Sequence, residues 1–201
     1  MIARSDQVRA VYTKHGLAFD AQRPKSLTVE LPWLRRFASL LPIGGRVLDL
    51  GCGAGEPIAG WFLRQGYDVA GVDFAQPMLQ LAQERFPQSA WHLQDMRSLS
   101  LGGFFDGIIG WDSFFHLSPS EQPSVFRRMA NLLRPPGVLM LTLGPRSGEV
   151  EGTVDGAPVY HASLSPDAYR HLLAENNLRE LSFVIEDPEA NHRTILLAQK
   201  L

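Results

Sequence analysis

Arg46-Val47-Leu48-Asp49-Leu50-Gly51-Cys52-Gly53-Ala54-Gly55-Glu56-Pro57 is the stretch that most narrows what this chain can fold into. An apolar run with one acid inside it ends at a loop with glycine at every second position, and a helix-compatible stretch, 57–65, follows. Strand, tight turn and helix in that succession open a nucleotide-binding α/β sheet. Glycine suits such a loop because the backbone turns sharply and comes close to a ligand, where a Cβ would intrude. A dinucleotide-binding loop reads G-x-G-x-x-G. Here G-x-G-x-G is followed by Glu56-Pro57. The longer pattern aims helix N–H groups at a pyrophosphate, whereas an acid at that place favours a ligand with an amine or a sulfonium.

Val47 to Gly55 resembles motif I of the class I S-adenosylmethionine-dependent methyltransferases. The resemblance implies a Rossmann-like three-layer α/β sandwich with a seven-stranded, mostly parallel sheet and an antiparallel last strand. It also implies S-adenosylmethionine as cofactor.

The remaining pattern alternates strand and helix, as a parallel sheet requires. Strands are expected at 68–73, 91–95, 107–111 and 138–143, with helices at 77–86 and from the capping box Ser118-Pro119-Ser120-Glu121 to about Leu133. Arg134-Pro135-Pro136-Gly137 reads as a break. Two segments leave the alternation. Residues 1–43 read as a helical cap, with helices at 8–12 and 31–41 around an irregular 15–24. Residues 144–164 read as an inserted hairpin or lid, turning at Asp155-Gly156, its second arm an edge because of Pro158. A helix capped by Ser165 and strands at 178–186 and 193–200 complete one methyltransferase-like domain over 1–201.

Bulk properties exclude several classes. The 201 residues, 45% hydrophobic and 20% charged, describe one ordinary globular domain. A formal charge of −2 offers no nucleic-acid-binding surface. No run approaches a membrane span, the first residues do not read as a signal peptide, and one cysteine fits a reducing cytoplasm. The expected partner is a small-molecule substrate, met by a monomer or homodimer, without nucleic acid or membrane.

In an open α/β sheet ligands bind outside the carboxyl ends of the strands, which selects the residues after each strand. After the first come Gly51, Cys52 and Gly53, with Cys52 read as a small packing residue of the loop rather than a nucleophile. After the second comes Asp73, twenty-two residues beyond Gly51, suited to accept both hydroxyls of a ribose. Phe74 lies either against an adenine or in the core. Asp49 would be costly to bury alone, so it takes either loop N–H groups or a cofactor amine. The resemblance makes Asp95-Met96 an adenine-binding pair and places Trp111 to Leu117 where the family keeps its motif IV. That segment departs from the Asn/Asp-Pro-Pro-Tyr/Phe pattern of nucleic-acid-base and protein-glutamine methyltransferases and resembles the small-molecule branch. Asp112 there could orient cofactor or substrate. His116 is either a base for the acceptor or a structural hydrogen-bonder. Tyr160 and His161 are either recognition groups or an exposed tip, and Tyr12 and Phe19 either lid contacts or packing. No metal ligand set is expected. The competing functions are an NAD(P)-dependent oxidoreductase, disfavoured by Glu56-Pro57, and a non-catalytic cofactor-binding member of the same family.

Overall fold

The structure, a computed structural model, describes residues 4–201. Two helices, α1 (Arg4–Gln22) and α2 (Leu31–Ala38), lead into β1 (Arg46–Leu50), α3 (Ile58–Arg64), β2 (Asp68–Asp73), α4 (Gln76–Arg85), β3 (Ala90–Leu93) and β4 (Phe105–Gly110). There follow α5 (Gln122–Leu132), β5 (Leu133–Leu143), a hairpin of β6 (Gly148–Val154) and β7 (Ala157–Ser163), then α6 (Pro166–Glu175), β8 (Leu178–Asp187) and β9 (Arg193–Lys200). Seven strands form one sheet in the order β3-β2-β1-β4-β5-β9-β8, and β6 and β7 pair only with each other. Only β9 runs against its neighbours. The fold is the Rossmann-like, mostly parallel sheet that the motif implied.

The central strands β1, β2, β4 and β9 and the second half of β5 are mostly apolar because both faces of the sheet are covered there. Successive side chains feed opposite cores. On one face Leu48, Leu50, Ile108, Leu139 and Leu141 meet Phe126 and Met129 of α5 and Tyr169 of α6. On the other, Val47, Ile109, Met140 and Leu197 meet Phe37 of α2 and Phe62 of α3. This two-sided support fixes the carboxyl ends of the strands, from which the site is built.

Three expectations need correction. Helix α1 is continuous to Gln22, with no irregular stretch at 15–22. Val8, Tyr12 and Phe19 form a helical stripe against Val154, Val159 and Phe74. Gly16, which reads as a break, is where α1 crosses Met78; a Cβ there would lie 2.9 Å from the Met78 Cγ and Sδ. Residues 1–3 of the expected cap lie outside the described residues. The stretch 134–137 is a bulge inside β5: Leu133 pairs with Phe105 and pairing resumes at Gly107 with Val138. Finally, α5 begins at Gln122. The Glu121 carboxylate does reach back to accept the Ser118 N–H (2.8 Å), as in a capping box, and it also takes the Ser118 hydroxyl (2.8 Å), but 118–121 forms a turn ahead of the helix.

The hairpin forms as its sequence directs. Asp155 (φ 49°) and Gly156 (φ 76°) are both left-handed, as a type I′ turn demands. Its tip is fastened to α1, because Asp155 hydrogen-bonds His15 (3.0 Å) and accepts from Gln22 (3.4 Å). Among the described residues no helix is long and apolar enough to cross a membrane.

Candidate active site

A cavity of about 430 Å³ opens over the carboxyl ends of β1, β2 and β4, with α1 and the hairpin over it. Its floor is the glycine loop. Gly51 (φ 78°) is packed so closely that a Cβ would stand 2.3 Å from the Ser113 Cβ. A Cβ on Gly53 (φ 54°) would meet the Met78 Cε at 3.1 Å. Four of the loop N–H groups are committed: Gly51 and Cys52 donate to the Val72 carbonyl (2.8 and 3.1 Å), Gly53 to Asp73 Oδ2 (2.9 Å), and Gly55 to the Cys52 carbonyl (3.0 Å).

That accounting decides between the two partners expected for Asp49. The carboxylate is 3% exposed and takes no hydrogen bond among the described residues. Burial pushes it up to about 7, reinforced by Asp73 and opposed by Arg23. The loop does not satisfy Asp49. Cys52 borders the cavity, and burial, with Asp73 and Asp49 nearby, raises its thiol well above the ordinary range, which leaves no thiolate nucleophile.

Asp73 stands at the end of β2 with both oxygens turned to backbone. Oδ2 accepts the Gly53 N–H, and Oδ1 accepts the Ala75 N–H (2.8 Å) at the start of α4. It therefore ties the glycine loop to the next helix, while each oxygen keeps lone-pair capacity for a ligand. Burial raises its pKa against these N–H groups. Phe74 and Met96 line the cavity, with Gln94 beside them. Asp95 is not on the wall. Its carboxylate grips Arg97 (2.6 Å from Oδ2) and caps the turn through the Arg97 N–H (2.9 Å). Arg97 in turn reaches Asp6 on α1 (2.6 Å) and Glu121 (3.1 Å), so Asp95 anchors the roof instead of facing the cavity.

The far half of the cavity is built after β4, from the hairpin and before β9. Trp111 lines it, as does Asp112 in a left-handed conformation (φ 53°). Asp112 is held bidentately by Arg193, at 2.9 Å to Oδ1 and 2.7 Å to Oδ2, and its N–H donates to Thr142 Oγ1 (2.7 Å). His116 is buried with Nδ1 2.9 Å from the Tyr160 carbonyl and Nε2 3.3 Å from the Tyr12 hydroxyl. A carbonyl can only accept, so Nδ1 carries the proton and Nε2 the lone pair. Desolvation lowers His116 to about 4, and the ring is neutral near pH 7. His161 lines the cavity, its ring tilted against His116 (centroids 4.9 Å apart) and edge-to-face with Phe115 (4.7 Å). Tyr160 does not: its backbone carbonyl orients His116, while its ring packs with Val8 and under Arg4.

Asn191, His192 and Arg193 also border the cavity, and no motif announced them. Asn191 (φ 53°) and His192 (φ 58°) are both left-handed. Asn tolerates that conformation, so Asn191 was a weak signal for a turn. Nothing local said that the turn returns to the site. It does so because β9 is antiparallel, which puts its first residues beside the carboxyl ends of the other strands. Arg23 and Phe115 were missed as well.

Comparison with known proteins names this arrangement. A family model for a methyltransferase domain matches residues 47–137. The segment from β1 to the bulge of β5 is thus similar to a methyltransferase domain. The ubiquinone biosynthesis O-methyltransferase of Xanthomonas axonopodis pv. citri is 31% identical over 141 residues, 67% of this chain and 57% of that protein. Methyltransferase GfsG of Streptomyces halstedii is 34% identical over 122 residues, 56% of this chain and 41% of that protein. The chain spans about half the length of these curated relatives. Among solved structures, the Burkholderia thailandensis 1,6-didemethyltoxoflavin-N1-methyltransferase, with 1,6-didemethyltoxoflavin and S-adenosylhomocysteine bound, superposes with TM-score 0.76. It is 19% identical and covers 100% of this chain and 91% of that one. The Synechocystis PCC 6803 magnesium protoporphyrin IX methyltransferase with bound S-adenosylmethionine gives TM-score 0.73 at 19% identity, over 100% and 99% of the two chains. The glycine loop stands at the start of the matched segment, while α1 and the hairpin lie outside it.

Proposed function

We propose that this chain binds S-adenosylmethionine in the β1–β3 half of the cavity and methylates a small-molecule acceptor held in the β4–β9 half. One observation carries the reading: a single cavity crosses the sheet's switch point, from a glycine loop with a buried, unpaired carboxylate beneath it to an aromatic, charge-neutral end. The residues fit the cofactor. Asp73 has lone pairs left for a ribose diol, Phe74 and Met96 offer apolar faces for the base, and Asp49 lacks a cation that the ligand's amine would supply. The relatives' names support methyl transfer to small molecules. The oxidoreductase alternative gains no support, since Glu56, held by Arg64 (2.8 Å), lines the cavity where a pyrophosphate would be repelled.

The sulfonium, when bound, supplies an activated methyl group for in-line displacement. Alignment and exclusion of water are then the protein's main tasks. α1 and the hairpin are the lid that performs them, clasped through His15–Asp155 and Arg97–Asp6. In the acceptor half Asp112 and Arg193 neutralise each other, and burial holds His116 and His161 towards neutrality. An uncharged small acceptor suits such walls. His116, with both ring nitrogens engaged and its pKa lowered to about 4 by burial, acts as a structural hydrogen-bonder between Tyr12 and the hairpin and not as the acceptor's base. The lone cysteine fits a reducing cytoplasm.

Thermal shift of the purified chain with S-adenosylhomocysteine, NAD or neither tests the reading. Stabilisation by S-adenosylhomocysteine alone is expected. Stabilisation by NAD alone would overturn it, and binding without methyl transfer to any metabolite in a broad library would favour the non-catalytic alternative.

A further inference from the structure

In the acceptor half of the cavity Asp112 is held by Arg193, and His116 is engaged at both ring nitrogens. His161 differs. It lines the cavity, half-buried, and neither ring nitrogen has a hydrogen-bond partner among the described residues. The unpartnered polar atoms there that are closed off from solvent are Ser89 Oγ and Trp111 Nε1, so both His161 nitrogens keep accessible surface. The ring is also seated. His161 pairs across the hairpin with Val150, and Gly152 is its diagonal neighbour on the same face. A Cβ on Gly152 would lie 2.6 Å from His161 Cε1 and 3.3 Å from each nitrogen. Glycine weakens a strand interior and marks a close approach. Gly152 has no left-handed φ, so it is the space taken by the imidazole that calls for it. Burial holds the imidazole towards neutrality, with Asp112 opposing. A neutral imidazole carries one N–H and one lone pair, and with neither nitrogen claimed a ligand decides which of them it meets.

We infer that His161 is the residue that reads the acceptor: its lone pair takes the hydrogen bond of an O–H or N–H on the atom to be methylated, while the acceptor, a flat uncharged ring, lies along Phe115. This rests on the proposed methyl-transfer reading and adds to it the acceptor's class and a specificity-determining residue on the hairpin. Trp111 and Phe115 give the acceptor half aromatic walls, which suit a flat ring. A proton directed at His161 leaves the heteroatom's own lone pair free to face the methyl group, so the same contact that selects the acceptor also orients it. A methylated oxygen has no proton left to offer. The product therefore loses the bond to His161, and so does a nitrogen that has given up its last N–H.

Phenol and anisole, its methyl ether, differ in that one proton. NMR titration of each into the S-adenosylhomocysteine-loaded chain gives the ratio of their affinities. A hydrogen bond between neutral groups is worth about 2- to 10-fold in affinity. His161→Leu should therefore lower the phenol-over-anisole ratio about 2- to 10-fold, while S-adenosylhomocysteine binds as it does to the wild type. A loss of cavity shape alone would weaken both probes together and leave the ratio unchanged. Gly152→Ala keeps the imidazole but sets a methyl group 2.6 Å from its Cε1, so the ratio should fall there too. It carries the same comparison should His161→Leu not fold. An unchanged ratio in the folded variant, or a loaded wild type that takes up neither probe at millimolar concentration, would overturn the inference and leave the cofactor reading standing. Failure of S-adenosylhomocysteine itself to bind would remove both.

Discussion

Asp49→Asn should make the ligand-free protein more stable at alkaline pH while weakening its ligand binding. The Asp49 carboxyl is raised from 3.8 to about 7 because burial strips it of water and no hydrogen bond compensates. The unfolded chain ionises at the lower value, so the folded state loses stability as pH rises from about 4 to about 7, by about 4 kcal/mol in total. An asparagine has no such titration. It does leave a buried amide unsatisfied, which costs about 1–3 kcal/mol at every pH. The pH-dependent part is therefore the clean signal: between pH 5 and pH 8 the stability of the variant relative to wild type should rise by about 3 kcal/mol. Urea unfolding of both proteins at the two pH values, without ligand, measures it. Adding S-adenosylhomocysteine at pH 8 should then stabilise the wild type more than the variant. A stability difference that does not change with pH would mean that Asp49 ionises normally, and the account of it as an unpaired buried charge would be wrong.

Gly51→Ala should lose about 2–3 kcal/mol of stability and all cofactor binding by calorimetry, because its Cβ would stand 2.3 Å from Ser113 in a left-handed conformation. Asp73→Asn can accept only one of the two N–H groups that Asp73 now accepts, so chemical denaturation should show a loss of about 1.5–3 kcal/mol. An unchanged midpoint would deny Asp73 its link between loop and helix. His116 is held at about 4, below its ordinary 6.5, so the unfolded chain takes the proton first and stability falls as pH drops from about 6.5 to about 4, by about 3 kcal/mol. His116→Gln should flatten that acid limb. Arg97→Met should leave the sheet intact and speed amide exchange in residues 4–12, because Asp6 loses its 2.6 Å partner; unchanged exchange there would show that apolar packing alone holds the roof.

Local pattern determined much of this protein. The alternation of strand and helix, the glycine loop and the placing of Asp73 at a strand end depend on residues within one βαβ unit, where periodicity and glycine conformation suffice. The Asp155-Gly156 turn is likewise a property of two residues. Tertiary structure decided which side chains face the cavity. Asp95 reads as a ligand-binding acid beside Met96, yet it is claimed by Arg97, which also reaches Asp6, 91 residues away. Asp112 is fixed by Arg193 across 81 residues, and that arginine comes near only because β9 inserts antiparallel between β5 and β8. Helix α1 shows no break at Gly16 because the missing Cβ is what lets Met78 approach. A sequence displays propensities and spacings directly. Which of several arginines a buried carboxylate meets depends on how distant segments pack, and local spacing carries no record of that.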